Sequence, residues 1–307
     1  MPGSMADLGL VESDQLGEAL TRIRHEVDAA FDTFLPVPED SRARLVHAMR
    51  YAAIGGGKRI RPMLTVAVAG LYGVDRETAI KTGCAVEAIH VYSLVHDDLP
   101  CMDDDDTRHG KQTLHKAFDE ATAVLAGDSL HALAFEILSM PETCGESFVR
   151  AELCATLAGA SGWGGMAGGQ MMDMVAEGQG YDLPTITRLQ QLKTGALLAA
   201  AVEMGAILGR VPEEGRGHLR AYARDIGLAF QIADDLLDVQ GDEAAAGKAL
   251  RKDAGAGKAT FVSLMGVEAA RNQAHALVDQ AIGHLASHGE EADLLRALAR
   301  YIVKRDR

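Results

Sequence analysis

The stretch EAIHVYSLVHDDLPCMDDDDTRHG, residues 87–110, places six carboxylates directly behind a largely apolar run. Apolar residues at helical spacing predict a long helix over 78–99, which Pro100 closes because proline removes an amide donor and restricts the residue before it. The first carboxylates, Asp97 and Asp98, therefore stand at the end of a buried helix. Because like charges so close together repel one another, this arrangement favours a site where cations gather over a solvated acidic loop.

The rest of the chain repeats the helical pattern. Apolar residues recur three and four positions apart, only 5% of residues are aromatic, and none of the 8 prolines follows Pro212, which together favour helix over sheet. The predicted helices cover 16–34, 41–51 with Ser41 as N-cap, 62–71, 78–99, 121–140, 148–157, 185–208, 217–239 and two or three segments after 259. We therefore predict one all-α domain over residues 1–307, with residues 1–4 as a vector-derived leader.

Two segments do not fit a plain helix. The glycine-rich segment 159–169 is either a loop or a place where helix backbones approach closely. Residues 242–257 are rich in Ala, Gly and charge and are predicted to form a loop.

Composition excludes several classes of protein. A net charge of −14, from 30 basic and 44 acidic residues, argues against nucleic-acid binding. The longest apolar candidate for a membrane span, 195–209, is interrupted by Glu203 and is too short to cross a bilayer. The N-terminus lacks the pattern of a secretory signal, and the four cysteines form no CxxC pair. We expect reduced cysteines, a cytoplasmic location and no membrane span.

A second acidic cluster follows on a separate predicted helix, in the segment QIADDLLD at 231–238. Asp234 and Asp238 are four residues apart and project from one helix face, with Gln231 one turn earlier. Apolar neighbours make a fully solvated stripe improbable. Hard oxygen donors on two facing helices suit Mg²⁺, and the spacing lacks the glycine and terminal glutamate of a calcium-binding EF-hand.

Basic residues complement these clusters. The segment GGGKRIRP at 55–62 places Lys58, Arg59 and Arg61 beside flexible backbone, which predicts a phosphate clamp. It is not a Walker loop, because Arg59 stands where that motif needs Ser or Thr. Arg108, Lys193 and Lys258 are further candidates, each alone compatible with an ordinary surface charge. Metal ligands and cations together predict a substrate that carries a di- or triphosphate.

The chain resembles the short-chain trans-isoprenyl diphosphate synthases, or polyprenyl synthetases, and is most similar to their bacterial farnesyl diphosphate-forming members. The resemblance covers nearly the whole chain and rests on the segments GGGKRIRP at 55–62, 87–110, LAGDSL at 125–130, GMAGGQMMD at 165–173, KTGALL at 193–198 and FQIADDLLD at 230–238. It implies about ten antiparallel helices around a deep central cavity, and a homodimer.

The resemblance also implies a role for each matching residue. About three Mg²⁺ ions per site would be held by the first cluster, Asp97, Asp98 and Asp103, and by the second, Asp234, Asp235 and Asp238, with Asp97, Asp103 and Asp234 as direct ligands. Arg108, Lys193 and Lys258 would contact the allylic diphosphate, while Lys58, Arg61 and His90 would hold isopentenyl diphosphate. Thr194 and Gln231 would line the reacting centre.

The implied activity is condensation of isopentenyl diphosphate with dimethylallyl or geranyl diphosphate to farnesyl diphosphate. The allylic substrate would first lose its diphosphate with the help of the metal ions, which leaves a carbocation. The isopentenyl double bond would then attack the carbocation, and a proton would be lost, in a cavity closed to water. In this family a bulky residue at the position of Tyr92, five residues before Asp97, forms the floor of the product pocket and indicates a C15 product. Alternatives are a geranyl or geranylgeranyl diphosphate synthase, a terpene cyclase and a non-catalytic partner subunit.

The clearest departure from the family pattern follows the first acidic cluster, and a second is Val262, which stands where the family often has proline. Arg-Arg-Gly usually follows the first acidic cluster, whereas this chain has Arg108, His109 and Gly110. The second arginine normally helps to bind isopentenyl diphosphate. Either His109 takes its place, in which case binding weakens as the imidazole loses its proton, or a neighbour such as Lys111 does so.

Overall fold

The computed structural model describes residues 5–176, 178–240 and 259–304. The helices of the first half are α1 Met5–Phe34, α2 Ala43–Ala53, α3 Ile60–Leu71, α4 Arg76–Asp97, α5 Leu114–Ala117, α6 Glu120–Ser139, α7 Ser147–Ser161 and α8 Met166–Met174. Those of the second half are α9 Leu183–Gln190, α10 Ala196–Leu208, α11 Gly217–Gln240, α12 Phe261–Met265, α13 Val267–His284 and α14 Asp293–Lys304. The predicted all-α class is confirmed.

Shorter elements join these helices. A π-helical turn, Gln191–Gly195, makes α9 and α10 continuous, and 3₁₀ turns occur at Glu213–Arg216 and Glu290–Ala292. The strands β1 Thr107–Arg108 and β2 Lys111–Gln112 form a small antiparallel hairpin that helical periodicity did not predict. The predicted loop 242–257 and the predicted leader 1–4 lie outside the described residues.

Aspartates rather than serine begin several helices. The carboxylate of Asp75 accepts a hydrogen bond from the Thr78 amide, so α4 starts two residues before its predicted limit. The prediction of Ser41 as the N-cap of α2 was wrong. The helix begins at Ala43, and Asp40 accepts from the Arg42 amide at 2.9 Å instead. Asp competes equally with Ser for this role, so composition alone does not separate the two.

The centre of the molecule is built around α4, which packs between α3 and α6, while α10 packs on the other side of α3. Glycines allow the closest of these contacts. An added β-carbon at Gly127 of α6 would overlap the His96 imidazole of α4. At Gly205 of α10 it would lie 2.7 Å from the Thr65 carbonyl oxygen of α3. The apolar length of α4 is therefore buried among helices, while its carboxylate end opens to one side.

Two helices are long and apolar enough to cross a membrane by length and composition. They are α6, Glu120–Ser139, and the continuous helix Leu183–Leu208, whose apolar windows are 44% and 50% buried inside the fold. Core helices of globular proteins pass the same test, so neither helix supports a membrane span by itself.

The contact between α10 and α3 predicts the effect of one methyl group. We expect Gly205→Ala to lower the free energy of unfolding by about 1–3 kcal/mol, because the methyl group meets backbone atoms that cannot turn aside. Urea titration followed by circular dichroism measures this change. Gly70→Ala is the matched control: its β-carbon meets nothing within 4 Å, and this variant should be neutral or slightly more stable. Equal stability of the two variants would contradict the tight packing.

Candidate active site

The first acidic cluster folds back on the end of α4. Asp97 is the last residue of the helix, and its carbonyl oxygen accepts a hydrogen bond of 2.8 Å from the Asp103 amide. Burial raises the pKa of Asp97 to about 6, and the nearby Asp103 and Asp98 carboxylates add to this, whereas Lys193 and Arg108 oppose it. Two predicted metal ligands, the half-buried Asp97 and the exposed Asp103, thus lie side by side at the helix end, an arrangement that favours bound cations.

Asp98 faces a different partner from Asp97. Its Oδ1 accepts hydrogen bonds from Arg108 Nε at 2.7 Å and pairs with Arg108 Nη2 at 2.6 Å. Asp105 adds a longer contact of 3.4 Å to the same guanidinium. Burial raises the pKa of Asp98, and Arg108 opposes that rise. Asp98 therefore fixes the position of Arg108 beside the cluster.

The second cluster is tied to the π-helical turn by a chain of hydrogen bonds. Thr194 Oγ1 donates to Gln231 Oε1 at 3.2 Å, and Gln231 Nε2 donates to Asp235 Oδ1 at 3.2 Å. The buried Asp235 also accepts from the Phe261 amide at 2.8 Å, where α12 begins. The structure thus brings together Thr194 and Gln231, and it gives Asp235 the role of an anchor between α11 and α12.

Lys193 stands on the same π-helical turn, opposite the first cluster. Its ammonium donates to Asp173 Oδ2 at 2.8 Å, and its charge acts on the Asp97 carboxyl. The backbone of Lys193 lies so close to Gly169 of α8 that any β-carbon there would overlap it. The glycine-rich segment is therefore, at this point, a close approach of helix backbones. Asp173, the last residue of GMAGGQMMD, is a site residue that the sequence analysis quoted without assigning.

A cleft of about 650 Å³, open to solvent at one side, lies between α2, α4 and the hairpin. The residues that line it are Tyr51, Ala52, Gly56, Gly57, Arg59, Glu87, His90, Val91, Leu94, Val95, Asp98, Arg108, His109, Lys111, Gln112, Thr113 and Leu114. It therefore brings together the predicted residues His90, Arg108 and His109. Burial holds the pKa of His90 well below its usual value, and Arg61 and His109 lower it further, so its imidazole is neutral.

Lys58 and Arg61, which the sequence also predicted here, are not among the lining residues of the cleft. The Lys58 ammonium lies 5.8 Å from the ring centroid of Tyr301. Arg61 is partly buried; burial lowers its pKa, while Glu87 and Asp234 raise it. Within the described part of the chain its Nε has no hydrogen-bond partner. Arg61 thus lies between the second acidic cluster and the wall of the cleft.

The interpretation of Arg59 as part of the phosphate clamp was wrong. Its side chain is buried, and its guanidinium binds Glu87 Oε1 at 2.9 Å and Asp28 Oδ1 at 2.7 Å. Burial opposes the charge, but Glu87 and Asp28 outweigh it and raise the pKa of Arg59. This ion network joins the glycine loop to α1 and α4. Sequence alone could not separate a buried, paired arginine from its exposed neighbours.

The hairpin that carries Arg108 has a tight two-residue turn. His109 and Gly110 have φ values of 52° and 75°, the left-handed pair of a type I′ turn. Arg108 pairs with Lys111 across the hairpin, and the Tyr51 hydroxyl of α2 donates to the Gln112 carbonyl at 2.9 Å. The hairpin is thereby held against α2, with His109 and Lys111 at the cleft.

Tyr92 lies on the α4 face that packs against α6. Its ring makes edge contacts with His131, at 4.9 Å between centroids, and with His96, at 5.8 Å. Burial raises its pKa, and Asp97 contributes. The side chain is half-buried and held by rings, so its position is well defined.

The donors present fit a metal that arrives with its substrate. Among the described residues, no three His, Cys, Asp or Glu side chains converge closely enough to hold a metal ion by themselves. Mg²⁺ commonly takes one or two carboxylates and completes its shell with water and substrate phosphate. Carboxylates on two helix ends match that requirement. Lys258, the remaining predicted site residue, lies outside the described residues.

Comparisons with known proteins address the family and the fold of the chain. The Polyprenyl synthetase family matches residues 42–300. The chain is 44% identical to a farnesyl diphosphate synthase of Escherichia coli over 291 residues, covering 92% of this chain and 96% of the relative. It is 43% identical to the chloroplastic geranylgeranyl pyrophosphate synthase 11 of Arabidopsis thaliana, covering 93% and 81%. An FPP/GFPP synthase structure from Zymomonas mobilis has a TM-score of 0.87 and 58% identity, covering 94% and 99%.

The low pKa of His90 predicts a pH dependence of stability. The unfolded chain takes up this proton near pH ~6.5 while the folded chain does not, so stability falls as the pH drops below that value. The contribution is at most about 1.4 kcal/mol per pH unit. We expect His90→Gln to lose less unfolding free energy than the wild type between about pH 7.5 and about pH 5.5. Urea titrations at both pH values measure this, and equal losses would contradict a neutral, half-buried His90.

Proposed function

The chain belongs to the polyprenyl synthetase family, and from that premise we propose that it is a farnesyl diphosphate synthase. It is a prenyltransferase that joins isopentenyl diphosphate to dimethylallyl and then geranyl diphosphate. The observation that carries the proposal is the meeting of Asp97 and Asp103 with Lys193 at the open end of α4. Anionic metal ligands and a cation in one place suit a leaving group that departs as diphosphate. The match over residues 42–300 supports one synthase domain along most of the chain.

We assign the Mg²⁺ ligands to both acidic clusters. Asp97, Asp103 and Asp234 would bind the ions directly, with Asp98 and Asp238 completing the clusters. Bound Mg²⁺ would neutralise the charge that develops on the departing diphosphate. The raised pKa of Asp97 supports this assignment, because a bound cation would stabilise the charged form, which burial and, to a lesser extent, Asp103 and Asp98 disfavour.

Basic side chains of the protein also bind the allylic diphosphate. Its oxygens are bound by Arg108, Lys193 and Lys258. Asp98 fixes the position of the Arg108 guanidinium, and Asp173 fixes that of the Lys193 ammonium. The Thr194 and Gln231 side chains, joined by a hydrogen bond, present oxygen atoms towards the allylic carbon, where positive charge develops. The surrounding helices exclude water, which would otherwise quench the carbocation.

Isopentenyl diphosphate occupies the cleft between α2, α4 and the hairpin. His90 is neutral there and donates one hydrogen bond to a phosphate oxygen, while Lys58 and Arg61 supply charge from its edge. His109 lines the mouth of the cleft. Asp98 and Arg108 line the cleft, and this supports a pose in which the isopentenyl double bond lies next to the allylic site.

Assembly and location complete the proposal. The enzyme is a homodimer that buries the apolar surface of α6 and α7, where Leu125 is 55% and Phe148 63% exposed in the single chain. Such side chains on neighbouring helices suit a partner of the same kind. All four cysteines are unpaired thiols, as expected in the reducing cytoplasm.

The direct test is product identity. Purified protein with Mg²⁺, isopentenyl diphosphate and geranyl diphosphate should release diphosphate and form farnesyl diphosphate, read by mass spectrometry after dephosphorylation. A C20 or C25 product would favour a synthase of longer chains. Two similar proteins suggest this alternative, because one is named a geranylgeranyl pyrophosphate synthase and the other an FPP/GFPP synthase. No diphosphate release would indicate a non-catalytic partner subunit.

The metal assignment predicts a large loss of activity. Asp97→Ala and Asp103→Ala should fold normally but lower kcat by several orders of magnitude, because the leaving diphosphate loses its counter-ion. Asp106→Ala is the matched control: this exposed carboxylate belongs to the same acidic run but pairs with Lys116 at 2.8 Å. Its kcat should stay within about twofold of wild type. Near-normal turnover of Asp97→Ala or Asp103→Ala would overturn the assignment.

The position of Tyr92 predicts a change of product. If the phenol ring closes the floor of the product pocket, Tyr92→Ala should yield C20 or longer chains from the same substrates. Tyr92→Phe keeps the ring and its edge contact with His131, and it should still stop at C15. Product chromatography of the three proteins decides this. An unchanged C15 product from Tyr92→Ala would refute the floor role.

A further inference from the structure

Two of the cations around the isopentenyl cleft are already balanced by carboxylates. Arg59 binds Glu87 and Asp28, and Arg108 binds Asp98 at 2.6 Å. Neither arginine therefore brings a free positive charge to the mouth of the cleft. Lys58 and Arg61 do not line the cleft, so a diphosphate at its mouth needs a further cation there, because an anion taken from water must be matched by charge or by several hydrogen bonds.

Lys111 stands at that mouth. A β-carbon placed on Gly55 would lie 3.6 Å from the Lys111 ammonium, so the charge lies against the glycine loop. Gly56, Gly57 and Lys111 all line the cleft. The glycine loop and strand β2 thus form the two edges of the cleft opening, and the Lys111 ammonium lies between these edges.

The Lys111 ammonium is not neutralised within the described part of the chain, where no carboxylate forms an ion pair with it. The ammonium lies over the Tyr51 ring, at 5.8 Å from the ring centroid. An aromatic face attracts a cation without cancelling its charge. The hydrogen bond from the Tyr51 hydroxyl to the Gln112 carbonyl holds strand β2, so Lys111 is presented from a fixed backbone.

His109 offers no comparable charge. Burial lowers its pKa, and Arg108, Arg59 and Lys58 lower it further, while Glu87 acts in the opposite direction. The imidazole is therefore neutral at neutral pH and offers one N–H donor.

We propose that Lys111 supplies the cation that binds the diphosphate of isopentenyl diphosphate at the mouth of this cleft, with His109 beside it as a neutral hydrogen-bond donor. The inference rests on the proposed function, since it names a substrate of that reaction. It explains how a chain with histidine in place of the family's second arginine keeps a charged isopentenyl site.

The test compares Lys111→Met, Lys111→Arg and His109→Ala with the wild type. Lys116→Met is the matched control, because it removes the same charge from a nearby exposed lysine that pairs with Asp106 outside the cleft. Calorimetric titration with isopentenyl diphosphate gives Kd. Steady-state assays give KM for isopentenyl and geranyl diphosphates separately.

Lys111→Met should raise Kd and KM for isopentenyl diphosphate about tenfold or more and leave the geranyl KM within about twofold. Lys111→Arg should restore most of the affinity, and Lys116→Met should change it by less than about threefold. His109→Ala removes one neutral donor and should weaken binding less than Lys111→Met does. If Lys111→Met behaves like Lys116→Met, or if His109→Ala produces the large loss instead, the inference is wrong. A wild-type protein that forms no prenyl product would overturn the proposed function itself, which is a separate outcome.

Discussion

Repulsion between the carboxylates at the open end of α4 is the constraint on which the rest of the molecule depends. A backbone hydrogen bond holds Asp103 against Asp97, and Asp97 is partly removed from water, which raises its pKa to about 6. Such a cluster persists only if cations surround it. The fold supplies Lys193 from the π-helical turn and Arg108 from the hairpin, and in the proposed function Mg²⁺ that arrives with substrate would balance the remaining charge.

Packing keeps these cations in place. The backbone of Lys193 rests on Gly169 without a side chain between them, and Asp173 fixes its ammonium. On the opposite side the buried Arg59 links the glycine loop to α1 and α4 through Asp28 and Glu87. Removing one partner of such a buried pair costs about 3–5 kcal/mol, so this network defines the loop firmly. Fixed charges need no reorganisation when a diphosphate leaves, which is the physical basis of the proposed catalysis.

The helices and the two acidic clusters were predictable because each depends on local spacing. The 3.6-residue period identifies α4, and the spacing of Asp234 and Asp238 places them on one face. What sequence could not supply was the partner of each polar residue. Arg59 looked like a phosphate ligand but binds Glu87, and Asp235 anchors the Phe261 amide at the start of α12. The hairpin was missed because two-residue strands carry no periodicity, although His109 and Gly110 formed a weak turn signal.

The central claim is that the two acidic clusters grip one diphosphate through shared metal ions. A crystal structure with Mn²⁺ in place of Mg²⁺, isopentenyl diphosphate and a non-ionisable thio analogue of geranyl diphosphate tests it most directly. Anomalous scattering should place Mn²⁺ against Asp97 and Asp103 on one side and against Asp234 on the other, with the allylic diphosphate between them. Manganese confined to the exposed carboxylates of Asp104 and Asp106, or absent from either cluster, would contradict the account.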